Sequence, residues 1–239
     1  MAGPDPSLGV FETLLVKDRT AQALDAHVER LRRSAERLYG LRAPLELPAL
    51  IRERARQLDD GEHRMRVDAR PVGGELRLEL ATTPLGPRPA LWRLAPLGFA
   101  GGYGPDKLAD RGPLTSSVAG GPVALLVDGD GPDADVLEAA WANVWLLDGR
   151  RLITPPCDGR ILPGVTRARV IELAPALGLT VSERPIRVAQ LRSATAAMLT
   201  SSLQLAAPAA LHDAAEPGPD AVTAIARVRD ALRERDWDR

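Results

Sequence analysis

Lysine is almost absent from this chain: of its 31 basic residues, every one but Lys17 and Lys107 is arginine. Arginine keeps its proton and forms no imine at working pH, so these two side chains alone could support Schiff-base chemistry. Lys17 lies in the polar stretch Val16-Lys17-Asp18-Arg19, which reads as an exposed turn. Lys107 follows the glycine-rich run Gly98-Phe99-Ala100-Gly101-Gly102-Tyr103-Gly104-Pro105-Asp106 and opens Lys107-Leu108-Ala109-Asp110-Arg111. A primary amine that can be desolvated and lowered in pKa condenses with an aldehyde. An arginine- and alanine-rich composition accounts for the scarcity of lysine but not for the placement of this one; taken alone, a surface lysine on a loop is the other reading. Two further groups could work with it. Glu138 lies in the apolar run Leu137–Trp145, where burying a carboxylate is costly without a cationic partner; a solvated glutamate at a strand end is the alternative. Gly164-Val165-Thr166 opens a helical stretch, so its amides and the Thr166 hydroxyl can receive an anion, unless Thr166 is simply an N-cap.

Rival chemistries lack their residues. The glycine run before Lys107 is no phosphate loop, because Leu108 stands where a magnesium-binding hydroxyl is required. His27, His63 and His212 are far apart and Cys157 is the single cysteine, so no zinc spacing exists. The nucleophile elbow of the serine hydrolases is missing. A net charge of −1 gives no electrostatic footprint for nucleic acid or an anionic membrane. The basic patch Arg64–Arg70 alternates with Met65, Val67 and Ala69, as a half-buried strand does. One cysteine, a short polar start and no apolar span lead us to expect a soluble cytoplasmic protein.

The elements that must position these groups are mixed. Val10–Val16 reads as a strand and Asp25–Gly40 as an amphipathic helix, with Val28, Leu31, Ala35 and Leu38 at helical spacing. A second helix is expected over Pro48–Leu58, and Met65–Ala69 with Leu76–Leu80 form a hairpin about Gly73-Gly74. Farther on, Ala124–Val127, Asn143–Leu147, Thr180–Val188 and Ala197–Thr200 read as strands, while helices are expected from Gly164 to Leu177 and over Asp220–Arg235. The proline-rich stretch around Thr83–Pro89 is the best boundary. The expectation is an α/β (α+β) chain with a small N-terminal domain over 1–83, a linker over 84–90, and a larger domain over 91–239 that carries Lys107.

Four ordered segments carry a resemblance. They are Gly9-Val10-Phe11-Glu12-Thr13 with Asp25-Ala26-His27-Val28-Glu29-Arg30-Leu31, then Lys107–Arg111, then Leu137–Trp145, then Thr154-Pro155-Pro156 with Ile161–Arg167. Together they resemble the class IV aminotransferase family of pyridoxal phosphate enzymes, from about Gly9 to His212. The resemblance implies a two-domain fold with the cofactor between the domains, a small-molecule amino substrate, and a homodimer. It implies Lys107 as the Schiff-base lysine and general acid/base, and Glu138 as the carboxylate that keeps the pyridine nitrogen protonated. It implies a phosphate cup made by Arg30, the amides of Val165 and Thr166, the Thr166 hydroxyl, and Ser202 or its neighbour Ser201. Asn143 resembles an asparagine of the family's third segment.

Within the family, Phe11 replaces a substrate-side tyrosine of the D-amino acid transaminases, and Gly112 stands where branched-chain transaminases carry a tyrosine. The Lys107–Arg111 spacing is similar to that of 4-amino-4-deoxychorismate lyase, with Asp110 in place of an asparagine. That lyase is the expected activity, an amino acid transaminase the runner-up, and a degenerate cofactor-binding protein without turnover the third reading. Arg70 and Arg111 are candidate ligands for a substrate carboxylate. Only Met1–Leu8 precede Gly9, so the first domain is expected to lack the strand or two that usually come first.

Overall fold

The computed structural model describes residues 3–114 and 121–234. Contacts divide the chain into two compact units. Among the described residues, one runs through Pro87 and takes back the short segment Asp106–Pro113; the other comprises Arg88–Pro105, Leu114 and residues 121–234. By its contacts Lys107 therefore belongs to the first unit, whereas the sequence put it in the domain over 91–239. The reason is backbone pairing, described below.

The first unit contains β1 (Val10–Lys17), β2 (Thr20–Ala21), α1 (Leu24–Tyr39), α2 (Leu47–Arg56), β3 (Glu62–Val72) and β4 (Glu75–Pro84). Its antiparallel sheet has the order β2-β1-β3-β4. The stripe Leu24, Val28, Leu31 and Ala35 buries α1, which packs on β1. Along β3, Met65, Val67 and Ala69 enter the core, which leaves Arg64, Arg66, Asp68 and Arg70 on the opposite face. The β3–β4 turn uses Gly73 and Gly74, both with positive φ, as a tight hairpin requires.

The second unit contains β5 (Trp92–Gly98), β6 (Val123–Asp128), β7 (Asp135–Ala139), β8 (Ala142–Asp148), β9 (Arg151–Thr154), α3 (Val165–Leu173), β10 (Thr180–Glu183), β11 (Ile186–Arg187), α4 (Val188–Ser193), β12 (Ala196–Ser201), β13 (Leu205–Leu211) and α5 (Pro219–Glu234). The run β8-β12-β13-β5-β6-β7 closes on itself, because β7 also pairs with β8. The ring encloses Leu94, Leu125, Val144, Leu199, Ala209 and Leu211. Thr180–Val188, expected as one strand, is two: Pro185 has no N–H to give a ladder, and Val188 already opens α4. The helix expected to reach Leu177 is regular only to Leu173 and tightens to a 3-10 turn at Pro175. Among the described residues no helix is long and apolar enough to cross a membrane, and no three His, Cys, Asp or Glu side chains are placed to hold a metal.

Candidate active site

In the first unit the site is built where β1 begins. Gly9 has φ +100°, and a Cβ there would lie 2.6 Å from the Ala69 carbonyl oxygen, so no larger residue fits this close approach to β3. The segment after Asp106 runs antiparallel along the start of β1. Phe11 N–H donates to the Lys107 carbonyl at 2.9 Å, Ala109 N–H donates to the Gly9 carbonyl at 2.8 Å, and Val10 bridges Leu108. These bonds fix the lysine backbone to the first unit. The Lys107 Nζ sits 4.8 Å from the centroid of the Phe11 ring. The Arg66 guanidinium stacks on the same ring at 3.8 Å and that of Arg111 lies at 5.8 Å. Arg66 is aimed by Asp68, to which its Nε and Nη2 donate at 2.7 and 2.6 Å. Arg66, a β3 arginine that the sequence did not single out, thus shares the Phe11 ring with Lys107.

Arg30 is buried on α1 and forks onto Glu12 of β1, Nε to Oε1 at 2.7 Å and Nη2 to Oε2 at 2.8 Å. His27 Nδ1 meets the same Oε2 at 2.8 Å. Burial raises the Glu12 carboxyl, but the charge of Arg30 and the hydrogen bonds from Arg30 and His27 outweigh it and hold the group far below the usual carboxylate range. Burial pushes the His27 imidazole down, against the pull of Glu12, while Arg30 and Lys107 push the same way as burial. A neutral His27 then donates its Nδ1–H to Glu12. The sequence displayed this trio only as motif letters, since nothing in the spacing of Glu12 and Arg30 says that they pair.

In the second unit the register does the positioning. Leu125 pairs with Ala139 and Val127 with Val136, so between these pairs Leu126 of β6 opposes two residues of β7, Leu137 and Glu138. This bulge lets Val136 and Ala139 both face the barrel core and turns Glu138 out of it. Glu138 pairs with Asn143 on β8, which pairs with Thr200 on β12. Glu138, only 7% exposed, accepts from Leu162 N–H at 3.2 Å, and Asn143 Nδ2 donates to the Leu162 carbonyl at 2.9 Å. Leu162 is therefore gripped from both sides just before Gly164, the N-cap of α3. A Cβ on Gly164 would run into the Asn143 amide, and no side chain caps the first amides of α3. Val165 and Thr166 form that first turn, both buried. α3 packs against β12, whose last residue, Ser201, accepts from Gln204 N–H at 3.3 Å; Ser202 follows it, half-buried.

Each unit therefore brings part of the expected set together: Lys107 and Arg30 in the first, Glu138, Val165, Thr166, Ser201 and Ser202 in the second. The donor chemistry fits a phosphorylated pyridine aldehyde. An amine stands among cations, a buried carboxylate can face a ring nitrogen, and an uncapped helix start closed by a glycine suits a phosphate.

Residues 9–95 and 116–211 match the family model described as amino-transferase class IV. The chain belongs to the class IV aminotransferases. It is 32% identical over 113 residues to branched-chain-amino-acid aminotransferase 1, mitochondrial, of Arabidopsis thaliana, across 45% of this chain and 29% of that protein. The curated relatives named first are matched over less than a third of their own length. A hypothetical aminotransferase of Mycobacterium tuberculosis in its PLP-bound form superposes with a TM-score of 0.82 at 25% identity, over 97% of this chain and 89% of that one. The 4-amino-4-deoxychorismate lyase of Pseudomonas aeruginosa gives 0.74 at 24% identity, over 96% and 91%, a likeness of fold. The same Mycobacterium tuberculosis protein is also matched in a form bound to alpha-ketoglutarate and PMP, with a TM-score of 0.80 at 25% identity.

Asp110, the departure from the lyase segment, has a local task. Its carboxylate accepts from Asp5 N–H at 2.9 Å and Gly112 N–H at 3.0 Å, and these backbone bonds lower its pKa. Two N–H donors ask only for an acceptor at this position, which a carboxylate supplies as well as an amide oxygen.

Proposed function

We propose that this class IV chain is a pyridoxal phosphate lyase that converts 4-amino-4-deoxychorismate to 4-aminobenzoate and pyruvate. The observation that carries the reading is the cationic surround of Phe11: Lys107, Arg66 and Arg111 all approach one ring. A substrate bearing two carboxylates gains from such a surface, whereas a branched aliphatic side chain would have to strip water from the cations.

The bound cofactor supplies an aldehyde for the substrate amine and an electron sink for the charge left by proton removal. Lys107 takes the proton from the ring carbon that bears nitrogen. The bond from the neighbouring carbon to the enolpyruvyl oxygen breaks, the leaving enol gains a proton to become pyruvate, and the ring becomes aromatic. Atoms balance without water, oxidant or a second substrate. Glu138 would keep the positive charge on the pyridine nitrogen. Val165, Thr166, Arg30 and the hydroxyls of Ser201 and Ser202 would hold the phosphate. Arg66 and Arg111 orient the carboxylates.

A second reading, amino acid transaminase, draws on the branched-chain aminotransferase relatives. The two separate on one preparation. Aminodeoxychorismate alone should give 4-aminobenzoate and pyruvate in equal amounts, with no keto acid added. Conversion of the bound cofactor to its pyridoxamine form by an amino acid, with aminodeoxychorismate untouched, would establish the transaminase instead. A fully loaded protein inert to both would be the degenerate binder. We also propose a homodimer, for which light scattering should give the mass of two chains.

A further inference from the structure

Asp106, the residue before Lys107, is a charged side chain with no place in the chemistry above, yet it is only 8% exposed. A carboxylate so buried is costly unless its oxygens are satisfied, and both are. Ser34 Oγ, itself buried, donates to Oδ1 at 2.7 Å, and the Arg37 guanidinium pairs with Oδ2. Both partners stand on α1, and with Arg30 they follow the i, i+4, i+7 spacing that sets side chains on one helix face. The next residue is tied to a different element, since the Lys107 carbonyl accepts from Phe11 N–H of β1. Side chain 106 and carbonyl 107 are thus pinned to α1 and β1, which leaves little but the lysine's own torsions to vary.

We propose that Asp106 is a positioning residue for Lys107. Through Ser34 and Arg37 it uses α1 as a ruler that sets the amine at a fixed separation from Arg30 on the same helix. A rigid ligand that must meet Arg30 with its phosphate and Lys107 with its aldehyde rewards that separation, and errors of an ångström at a reacting atom are costly in rate. The inference rests on the reading of Lys107 as the Schiff-base lysine.

The chain's two lysines make the test internally controlled. Cofactor-free protein is mixed with pyridoxal phosphate, quenched with borohydride at intervals, and the pyridoxyl group is counted on Lys107 and on Lys17 by peptide mass. The variants are Asp106→Ala, Asp106→Asn, Ser34→Ala and Arg37→Gln, each with its melting temperature. Asp106→Ala should slow labelling of Lys107 about tenfold or more, with Lys17 unchanged. Asp106→Asn, which keeps an acceptor for Ser34, should recover part of the rate, and Ser34→Ala and Arg37→Gln should each lose a few-fold. Should Asp106→Ala not fold, Ser34→Ala and Arg37→Gln decide the matter. Wild-type rates at Lys107 in variants with wild-type melting would overturn the proposal and leave the Lys107 reading standing. Wild-type protein that never labels at Lys107 would overturn both.

Discussion

Glu138 combines two demands that conflict in water. It is buried among strands and bonded to the Leu162 amide, yet its proposed task is to stay ionised beside a ring nitrogen. Glu138→Ala should retain the cofactor, because Lys107 and the proposed phosphate donors would still hold it, and lose turnover on the order of 10²–10³-fold, the scale of a lost electrostatic partner. Absorbance of the loaded variant and its steady-state rate check the two halves separately. Single residues were legible where rarity or misplacement marked them. Lys107 stood out because arginine replaces lysine almost everywhere, and Glu138 because it interrupts an apolar run. Asp106, Ser34 and Arg66 were not legible, since each looks like a common surface residue until the fold supplies its partner.

Glycine at position 164 lets α3 start against the Asn143 amide. Gly164→Ala forces that amide or the helix start to move, so it should cost about 1–3 kcal/mol of stability and weaken cofactor affinity. Thermal melting and titration of the cofactor-free variant measure both, and unchanged affinity would detach the α3 start from phosphate binding. At this scale the amphipathic elements were readable, β1, α1, the β3–β4 hairpin and α5 among them, because one buried face writes its period into the sequence. The strands β5, β9 and β13 were not. β9 is only Arg151–Thr154, and β13 is alanine-rich with Pro208 inside it, so propensity argues against the strand that tertiary pairing enforces. The bulge that turns Glu138 outward leaves no sequence mark, because it is a property of two paired strands.

At the scale of the molecule, the chain crosses between its units more than once, and the short piece Asp106–Pro113 returns to the first. Local patterning foresees a boundary in a proline-rich stretch but not such a return, which depends on hydrogen bonds between Gly9–Phe11 and Lys107–Ala109. The closed barrel was hidden for the same reason, since closure is one strand pairing twice. Stability of the whole should depend on pH through His27. Its folded pKa lies below the ordinary value of 6.5, so the unfolded chain takes up the proton first. Stability is therefore full above pH 6.5 and declines as pH falls below it toward the lowered folded value. His27→Asn, whose amide can still donate to Glu12, should flatten that decline in melting temperature; a decline equal to wild type would place its source elsewhere. The expectations about catalysis depend on one amine. Borohydride reduction of the loaded protein followed by peptide mapping should find the pyridoxyl group predominantly on Lys107, and Lys107→Ala should lose that label without gaining it on Lys17. A pyridoxyl group on Lys17 in place of Lys107, or on neither lysine, would contradict the account.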